Sequence, residues 1–519
     1  MATPIVPPAQ RHLADALQRM RDLQAEGNRV FETKDFTRTQ REALESAGFL
    51  RRVILGWYIA TRPGERDGDT TAWNASFRDF IGAYCEARFG DEWCLSAEHS
   101  LLVHAGETVL PSQVVVLAAK AQRNVVTLLG GHSILDLTPS NPADLQQVEK
   151  NGPLRVLSLH VALVRVHEVF FRSYPTDAQI ALRQLRDPGL LSRVLLDGGH
   201  SSVAGRLAGA FRAIGQPRFA NDIVGTMTAV KYRVDELNPF PNDLPQLGGQ
   251  RVLSPYVDRI RIMWGRMRDA VLQHFPPEPG RPTNAVAYLQ AVVEAFTSDA
   301  YHSLSIEGYT VSEDLIARVS RGDWNPDGNP GDAELRNAMA AHGYYLAHAA
   351  VRTSLVLILD GENSGTVVEN DHGEWYRQLF MPSVNARILK VDDLAGYRND
   401  QVFIRNADHV PPDKTAVWDM MPTLFELLTE EPSAAVRAVL GHFIFVFIHP
   451  YMDGNGRLGR FVMNAMLASG GYPWTVIPVE RRDEYMVALN AASGQGDIVP
   501  FARFVASCVG VTQSAPASP

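Results

Sequence analysis

The sequence predicts a multidomain, mainly α-helical protein, and three observations lead to that fold class. The chain has 519 residues, of which 45% are hydrophobic and 21% are charged, so two to four globular domains with buried cores are expected. In the second half, apolar residues recur at helical spacing before and after residue 450. In the first half, two helical patterns precede a run of β-forming residues that indicates a hairpin.

The N-terminal pattern is typical of a winged helix. Residues 11–25 and 37–47 have helical spacing, and residues 49–60 predict a two-stranded wing with Gly56 at or near its turn. Winged helices bind DNA or proteins, and the sequence leaves both open. The candidate contacts to DNA phosphates are Arg38, Arg41, Arg51 and Arg52.

Composition restricts the classes of function. A net charge of −9 argues against nucleic-acid binding by the whole chain, although one basic module remains compatible with it. Cys85, Cys94 and Cys508 have no paired spacing, which excludes a cysteine zinc site and fits a reducing cytoplasm. The first ten residues lack an apolar signal core, and no apolar run approaches the roughly 20 residues that span a bilayer. We expect a cytoplasmic protein with no membrane contact.

The segment from His449 to Arg460 concentrates groups that suit phosphate chemistry. Pro450 ends a buried helix and leaves His449 at its carboxyl end. A second helix starts near Arg457, with Gly454, Asn455 and Gly456 at its amino end. Glycines there let backbone N–H groups approach an anion, and the helix dipole favours negative charge.

The charged residues of this segment complete the site. Arg457 and Arg460 lie three apart on one helix face, and two guanidinium groups over a helix N-terminus suit a polyphosphate. Asp453 beside phosphate implies a cation between them, and Mg²⁺ enters such sites through one carboxylate and phosphate oxygens. His449 is a suitable general base. A tight helix-turn-helix uses the same Gly-Asn-Gly chemistry, but the ordered set converges on one reaction class.

This segment resembles the Fic-domain signature, His-Pro-Phe-x-Asp/Glu-Gly-Asn-Gly-Arg-x-x-Arg, with Tyr451 in place of Phe. The resemblance implies an all-α core and transfer of AMP from ATP to a hydroxyl of a target protein. It implies that His449 takes the hydroxyl proton and that Asp453 holds Mg²⁺. The phosphate-binding residues would be Gly454, Asn455, Gly456, Arg457 and Arg460. Because the kinase-like Doc toxins depart from the pattern here, AMP transfer is favoured over phosphorylation.

A second segment, Ser303 to Gly308, resembles the Ser/Thr-x-x-x-Glu-Gly/Asn inhibitory motif of Fic proteins. The resemblance implies that Glu307 pairs with Arg460 and blocks the pocket for the ATP γ-phosphate. The preceding residues 291–306 are compatible with a helix, which Gly308 can end. Solvent-facing residues before a glycine cap are the alternative interpretation.

Residues 401–410 predict a short β-hairpin. Fic proteins carry such a flap, which pairs with the backbone of the target, whereas a plain surface hairpin is the alternative. The target-docking candidates are Val402, Phe403, Ile404, His409 and Val410.

We divide the chain into a winged-helix-like domain at 1–66, an α/β region at 67–236, a Fic domain with its inhibitory helix at 237–511, and a disordered tail at 512–519. The first two resemble AbiEi-type antitoxins and related regulators, the second through residues 96–100 and 114–117.

Two functions follow. The first is an autoinhibited protein adenylyltransferase that uses Mg²⁺ and ATP on a Ser, Thr or Tyr hydroxyl of an unknown target. The alternative is a DNA-binding regulator of toxin–antitoxin type with a nucleotide-sensing Fic domain. A homo-oligomer is open in both.

Overall fold

The computed structural model describes residues 8–64, 69–241, 254–321, 335–386, 388–390, 394 and 396–514. The chain forms two compact units. One is drawn from Met1–Pro255 with Phe403–Val410, the other from Tyr256–Val402 with Pro411–Pro519. Most of the chain is helical, and the small β-sheets lie in the N-terminal region, which confirms the predicted multidomain, mainly α class.

The first unit begins with a three-stranded antiparallel sheet and two helices. In chain order these are α1 (Pro8–Ala25), β1 (Val30–Glu32), α2 (Arg38–Ser46), β2 (Leu50–Ile54) and β3 (Trp57–Ala60), with sheet order β1-β3-β2. Thr37 starts α2 by accepting a hydrogen bond from the Gln40 backbone N–H. The predicted helices and hairpin are present. Strand β1 was not predicted, because three residues give no readable alternation.

A four-stranded mixed sheet follows in the same unit, in the order β4-β5-β7-β6. Trp73, Phe77 and Phe80 of helix α3 share an apolar core with Val116 and Ile134 of the sheet. A separate hairpin is formed by β8 and β9. The elements are α3 (Thr71–Phe89), β4 (Trp93–Leu95), α4 (Ala97–His104), β5 (Gln113–Ala118), β6 (Val125–Thr127), β7 (Ser133–Leu137), β8 (Val148–Asn151) and β9 (Leu154–Leu157).

Among the described residues of this unit, six further helices pack around a second apolar core, which includes Leu163, Ala181 and Phe211. They are α5 (Leu159–Arg165), α6 (Val169–Ser173), α7 (Pro175–Gln184), α8 (Pro188–Asp197), α9 (Ser201–Ala213) and α10 (Pro217–Ala229).

The second unit contains helices α11 to α20 in the described residues. They are α11 (Pro255–His274), α12 (Ala285–Ile306), α13 (Glu313–Arg321), α14 (Leu335–Asp360), α15 (Ser364–Asn385), α16 (Val417–Glu430), α17 (Ala434–Ile448), α18 (Asn455–Ser469), α19 (Arg482–Asn490) and α20 (Val499–Ser514). Helices α17 and α18 are buried on nearly every face. They form the centre of the core and hold the loop between them rigidly.

The predicted β-hairpin at 401–410 is wrong. These residues contain no strand; a turn joins Ile404 to Ala407, and Asn406 has φ 57°. The β-forming residues at 402–404 have no partner strand within this segment, and β propensity without a paired strand does not form a sheet. Instead, His409 forms a single antiparallel bridge with Val109.

The expected tail at 512–519 starts too early, because α20 continues to Ser514; the remaining residues of that prediction lie outside the described part of the chain. None of the described helices combines the length and apolar character needed to cross a membrane.

Candidate active site

The loop between α17 and α18 fixes the backbone of the site. His449 ends α17 in the left-handed region at φ 53° and ψ 61°, while its N–H still donates to the Phe445 carbonyl at 3.0 Å. Pro450 has no N–H with which to continue the helix. Gly454 has φ +82°, and a Cβ there would lie 2.8 Å from Phe380 Cε2. Glycine is therefore required at this turn.

The His449 imidazole is held in one tautomer. Its Nδ1 lies 3.2 Å from the Val446 carbonyl oxygen, which can only accept, so Nδ1 carries the proton and Nε2 keeps a lone pair. Burial lowers the pKa of His449 to about 4, and the nearby Arg398 guanidinium acts in the same direction. The ring is therefore neutral at pH 7 and able to accept a proton.

The Asn455 side chain holds the loop together by binding the Tyr451 backbone, a role that no sequence pattern indicates. Its Oδ1 accepts from the Tyr451 N–H at 2.9 Å, and its Nδ2 donates to the Tyr451 carbonyl at 2.8 Å. Both polar atoms of this side-chain amide are engaged within the loop, so the backbone N–H of Asn455 is the group left for the predicted phosphate site. Its backbone lies in the first turn of α18, with that of Gly456.

Two arginines of α18 are buried with unused donors. Arg457 is 1% exposed and Arg460 is 3% exposed. The Arg457 guanidinium lies 5.2 Å from the Tyr309 ring centre and 5.1 Å from that of Phe380. Nε and Nη2 of Arg457 and Nη1 of Arg460 have no hydrogen-bond partner among the described residues. Arg457 Nη2 still lies 3.4 Å from Asp453 Oδ2. Because buried, unpaired donors are costly, the other two nitrogens indicate an anionic ligand.

The Ser303–Gly308 segment reaches one of these arginines. Glu307 caps the carboxyl end of α12, and Gly308 follows with φ +85°. Arg460 Nη2 donates to Glu307 Oε1 at 2.8 Å and to the Ser303 carbonyl at 3.0 Å. Arg460 Nε donates to Ser303 Oγ at 2.9 Å. A Cβ on Gly456 would lie 2.2 Å from Glu307 Oε1, so the carboxylate lies against the first turn of α18.

The charge of Glu307 is stabilised in this position. Burial alone would raise the pKa of Glu307, but the Arg460 and Arg457 guanidiniums outweigh burial, and the pKa is lowered. Glu307 is therefore ionised at neutral pH. A carboxylate here lies where a helix N-terminus favours an anion.

Asp453 lies at the open side of the loop, with 62% of its side chain exposed. Its Oδ1 accepts from the Gly454 N–H at 2.6 Å, and its Oδ2 lies 3.4 Å from Arg457 Nη2. In the described part of the chain, no group of three or more His, Cys, Asp or Glu side chains converges on a common point. The loop therefore offers a cation one accessible carboxylate.

The inhibitory segment is anchored one turn deeper in the core. Asp299 lies on α12 one turn before Ser303 and is fully buried, and Tyr344 Oη donates to Asp299 Oδ2 at 2.7 Å. Burial raises the pKa of Asp299 to about 6, against the opposing effects of Tyr344 and Arg460. No local sequence pattern marks this pair, because its two members are 45 residues apart.

The predicted docking residues do not form one surface group. Phe403, Ile404, His409 and Val410 belong to the first unit, whereas Val402 belongs to the second. His409 is buried, with Nδ1 2.9 Å from Thr108 Oγ1.

The N-terminal arginines also differ from one another. Arg51 and Arg52 are exposed on β2, whereas Arg38 pairs with Glu42 at 2.8 Å. The Arg41 guanidinium lies 5.8 Å from the Tyr58 ring centre.

Comparison with known proteins agrees with this geometry. Residues 369–467 match the Fic/DOC family. The chain therefore carries a Fic domain. The matched residues include α17, the loop and most of α18, which hold His449, Asp453 and both arginines.

Protein adenylyltransferase Fic of Drosophila virilis is 32% identical over 228 residues, which is 43% of this chain and 43% of the relative. The Drosophila melanogaster protein of the same name is also 32% identical, over 43% of this chain and 42% of its own length. The match thus spans less than half of either curated relative.

Two solved structures also match. Fic-1 from C. elegans is 18% identical and covers 65% of this chain and 95% of its own, with a TM-score of 0.33. A Fic-domain-containing signaling protein from Bacteroides thetaiotaomicron is 18% identical and covers 48% and 93%, with a TM-score of 0.32. Scores this low carry no argument about this chain.

Proposed function

We propose that this protein is an ATP-dependent protein adenylyltransferase held inactive by Glu307. The observation that carries the proposal is a neutral His449 near the carboxylate of Glu307, which also interacts with the buried guanidiniums of Arg457 and Arg460. Arg457 Nε and Arg460 Nη1 have no hydrogen-bond partner among the described residues. A base beside an anion site is what attack on a phosphate ester requires. The relatives named protein adenylyltransferase support the choice of AMP as the transferred group.

The tautomer of His449 determines which of its nitrogens acts as the base. The target hydroxyl oxygen attacks the α-phosphorus of ATP, and the bond from that phosphorus to the bridging oxygen breaks, so pyrophosphate leaves. Nε2 of His449 takes the hydroxyl proton, because Nδ1 already carries a proton directed at Val446. Loss of that proton makes the attacking oxygen more nucleophilic.

The phosphates would lie on the first turn of α18. The backbone N–H groups of Asn455 and Gly456 and the guanidiniums of Arg457 and Arg460 are the donors for the phosphate oxygens. Mg²⁺ would be held by Asp453, since one accessible carboxylate suits a cation that takes its other ligands from phosphate and water. When bound, Mg²⁺ neutralises charge that develops on the phosphates.

Glu307 would inhibit by occupying this anion site. Its carboxylate accepts a hydrogen bond from Arg460 Nη2 and lies against Gly456, so a phosphate oxygen cannot take the same position. ATP must either displace the carboxylate or bind out of line for attack.

The test supplies ATP labelled at the α-phosphate or the γ-phosphate, with Mg²⁺ and host lysate. The variants are wild type, Glu307→Gly, and Glu307→Gly with His449→Ala. We expect protein labelling from the α-label only, increased in the single variant and lost in the double variant. Labelling from the γ-label would instead show phosphoryl transfer, and no labelling in any variant with either label would overturn the proposal.

A second candidate function is DNA binding by the N-terminal residues, which the exposed Arg51 and Arg52 on β2 favour. Phosphate contacts make such binding salt-sensitive. We expect retention on DNA that weakens with salt and falls when both residues become alanine. The matched control changes two exposed arginines outside the sheet, Arg193 on α8 and Arg218 on α10, to alanine. Retention that is unchanged when Arg51 and Arg52 become alanine contradicts DNA binding through these two residues.

A further inference from the structure

Arg398 binds the backbone of the loop that carries His449 and the backbone of two residues near itself in sequence. Nε donates to the His449 carbonyl at 2.9 Å, Nη1 to the Asp400 carbonyl at 3.0 Å, and Nη2 to the Pro412 carbonyl. Its own backbone N–H donates to the Pro450 carbonyl at 2.8 Å. One residue therefore holds the turn that carries His449 and also the backbone at Asp400 and Pro412.

The burial of this guanidinium is costly. Arg398 is 3% exposed, and burial lowers its pKa to about 10. Its guanidinium donates to three carbonyls, and the Asp413 and Asp400 carboxylates only partly oppose the effect of burial on its pKa. Burying a cation without a directly bonded ionised partner is costly, because carbonyl dipoles replace water less completely than such a partner does. A lysine or a glutamine could reach one or two of these carbonyls at lower cost.

The contact to His449 offsets a specific strain. A left-handed conformation costs a residue with a Cβ about 1–2 kcal/mol, which is why helices end there on glycine. His449 adopts it at φ 53°, and its carbonyl is the one that Arg398 Nε binds. The hydrogen bond stabilises the left-handed conformation of His449, and with it the backbone from which the imidazole projects.

We propose that Arg398 is a positioning residue for the proposed AMP transfer, which fixes His449 and both ends of the segment 400–412 in one arrangement. This inference rests on the proposed function. Its part is to keep the base in place through three donors on one planar group. A lysine keeps the charge but cannot hold the three carbonyls in that plane.

The test introduces Arg398→Lys into the Glu307→Gly variant. We expect kcat for AMP transfer to fall tenfold or more, while the Kd for Mg-ATP changes less than twofold, because the arginines of α18 are untouched. Arg437→Lys is the matched control: Arg437 is a part-buried arginine at the other end of α17 that binds the Glu431 carbonyl. The control should leave kcat unchanged. Equal loss of kcat in both variants, or no loss in Arg398→Lys, would overturn the proposal.

Two measurements do not depend on AMP transfer. In Arg398→Lys we expect the His449 imidazole NMR signals, assigned by their loss in His449→Ala, to shift, and trypsin or thermolysin to cleave between residues 399 and 413 faster. If Glu307→Gly transfers no AMP but these changes occur, the proposed reaction fails and the positioning role stands. If Arg398→Lys lacks a cooperative thermal transition, Arg398→Gln replaces it. Unchanged imidazole signals and cleavage in a folded variant contradict the proposal.

Discussion

The Glu307 carboxylate and the Arg460 guanidinium are joined by a hydrogen bond of 2.8 Å over the first turn of α18. The two residues are 153 positions apart in the chain, so the contact depends on how α12 and α18 pack. Only 27% of the Glu307 side chain is exposed, and Ser303 holds the same guanidinium from the side of α12. The Glu307 carboxylate therefore occupies the position at which we propose that a phosphate of ATP binds.

Replacing Arg460 should weaken nucleotide binding once Glu307 is removed. In the Glu307→Gly background, we expect Arg460→Lys to raise the Kd for Mg-ATP about tenfold, because an ammonium makes fewer directed contacts to phosphate than a guanidinium fork. Isothermal titration calorimetry measures the change. Arg482→Lys is the control, since Arg482 is exposed and binds the Ile306 carbonyl. An equal rise in both variants would show that the effect is not specific to the phosphate site.

The pH dependence of turnover should report the buried base. His449 must be neutral to accept a proton, and its pKa is lowered to about 4, so activity should persist as pH falls from 8 to about 5 and be lost only near pH 4. Because the Glu307 carboxylate raises the pKa of His449, Glu307→Gly should not raise the pH at which activity is half lost. Single-turnover rates with circular dichroism at each pH provide the measurement. A half-maximal rate near pH 6.5, the usual pKa of an exposed histidine, contradicts this environment.

Asp299 should make the stability of the fold depend on pH. Its folded pKa is raised from 3.8 to about 6. Below pH 4 both the folded and the unfolded states are protonated, and as pH rises towards 6 the unfolded state ionises first, so the fold loses up to about 3 kcal/mol. Asp299→Asn removes this loss.

We therefore expect the Tm of Asp299→Asn, relative to wild type, to increase between pH 4 and pH 6.5. Calorimetry at several pH values measures it. Asp483→Asn changes a side chain that is 98% exposed and should show no such trend. A Tm difference that stays constant with pH would show that Asp299 is ionised throughout this range.

The helices around the site could be predicted because their signals are local. The spacing before His449 and after Gly456 specifies α17 and α18, and Gly308 marks the end of α12. These features depend on residues within a few turns of one another, so one sequence is sufficient to predict them.

The remaining features depend on contacts between distant residues. Arg398 reaches a carbonyl 51 positions away, and no local pattern marks an arginine that will bind backbone. No local pattern shows that both polar atoms of the Asn455 side chain bind the Tyr451 backbone. The β-forming residues at 402–404 were misleading because strand formation requires a partner that the sequence does not identify.

The most direct test of the central claim is the Kd for Mg-ATP of wild type, Glu307→Gly and the exposed-site control Glu313→Gly, measured side by side by calorimetry. If the Glu307 carboxylate occupies the phosphate site, Glu307→Gly should bind Mg-ATP about tenfold to a hundredfold more tightly than wild type, which corresponds to one charge-assisted hydrogen bond of roughly 1.5–3 kcal/mol. The control should match wild type. Equal affinity in all three proteins would contradict the claim that Glu307 and ATP compete for Arg460.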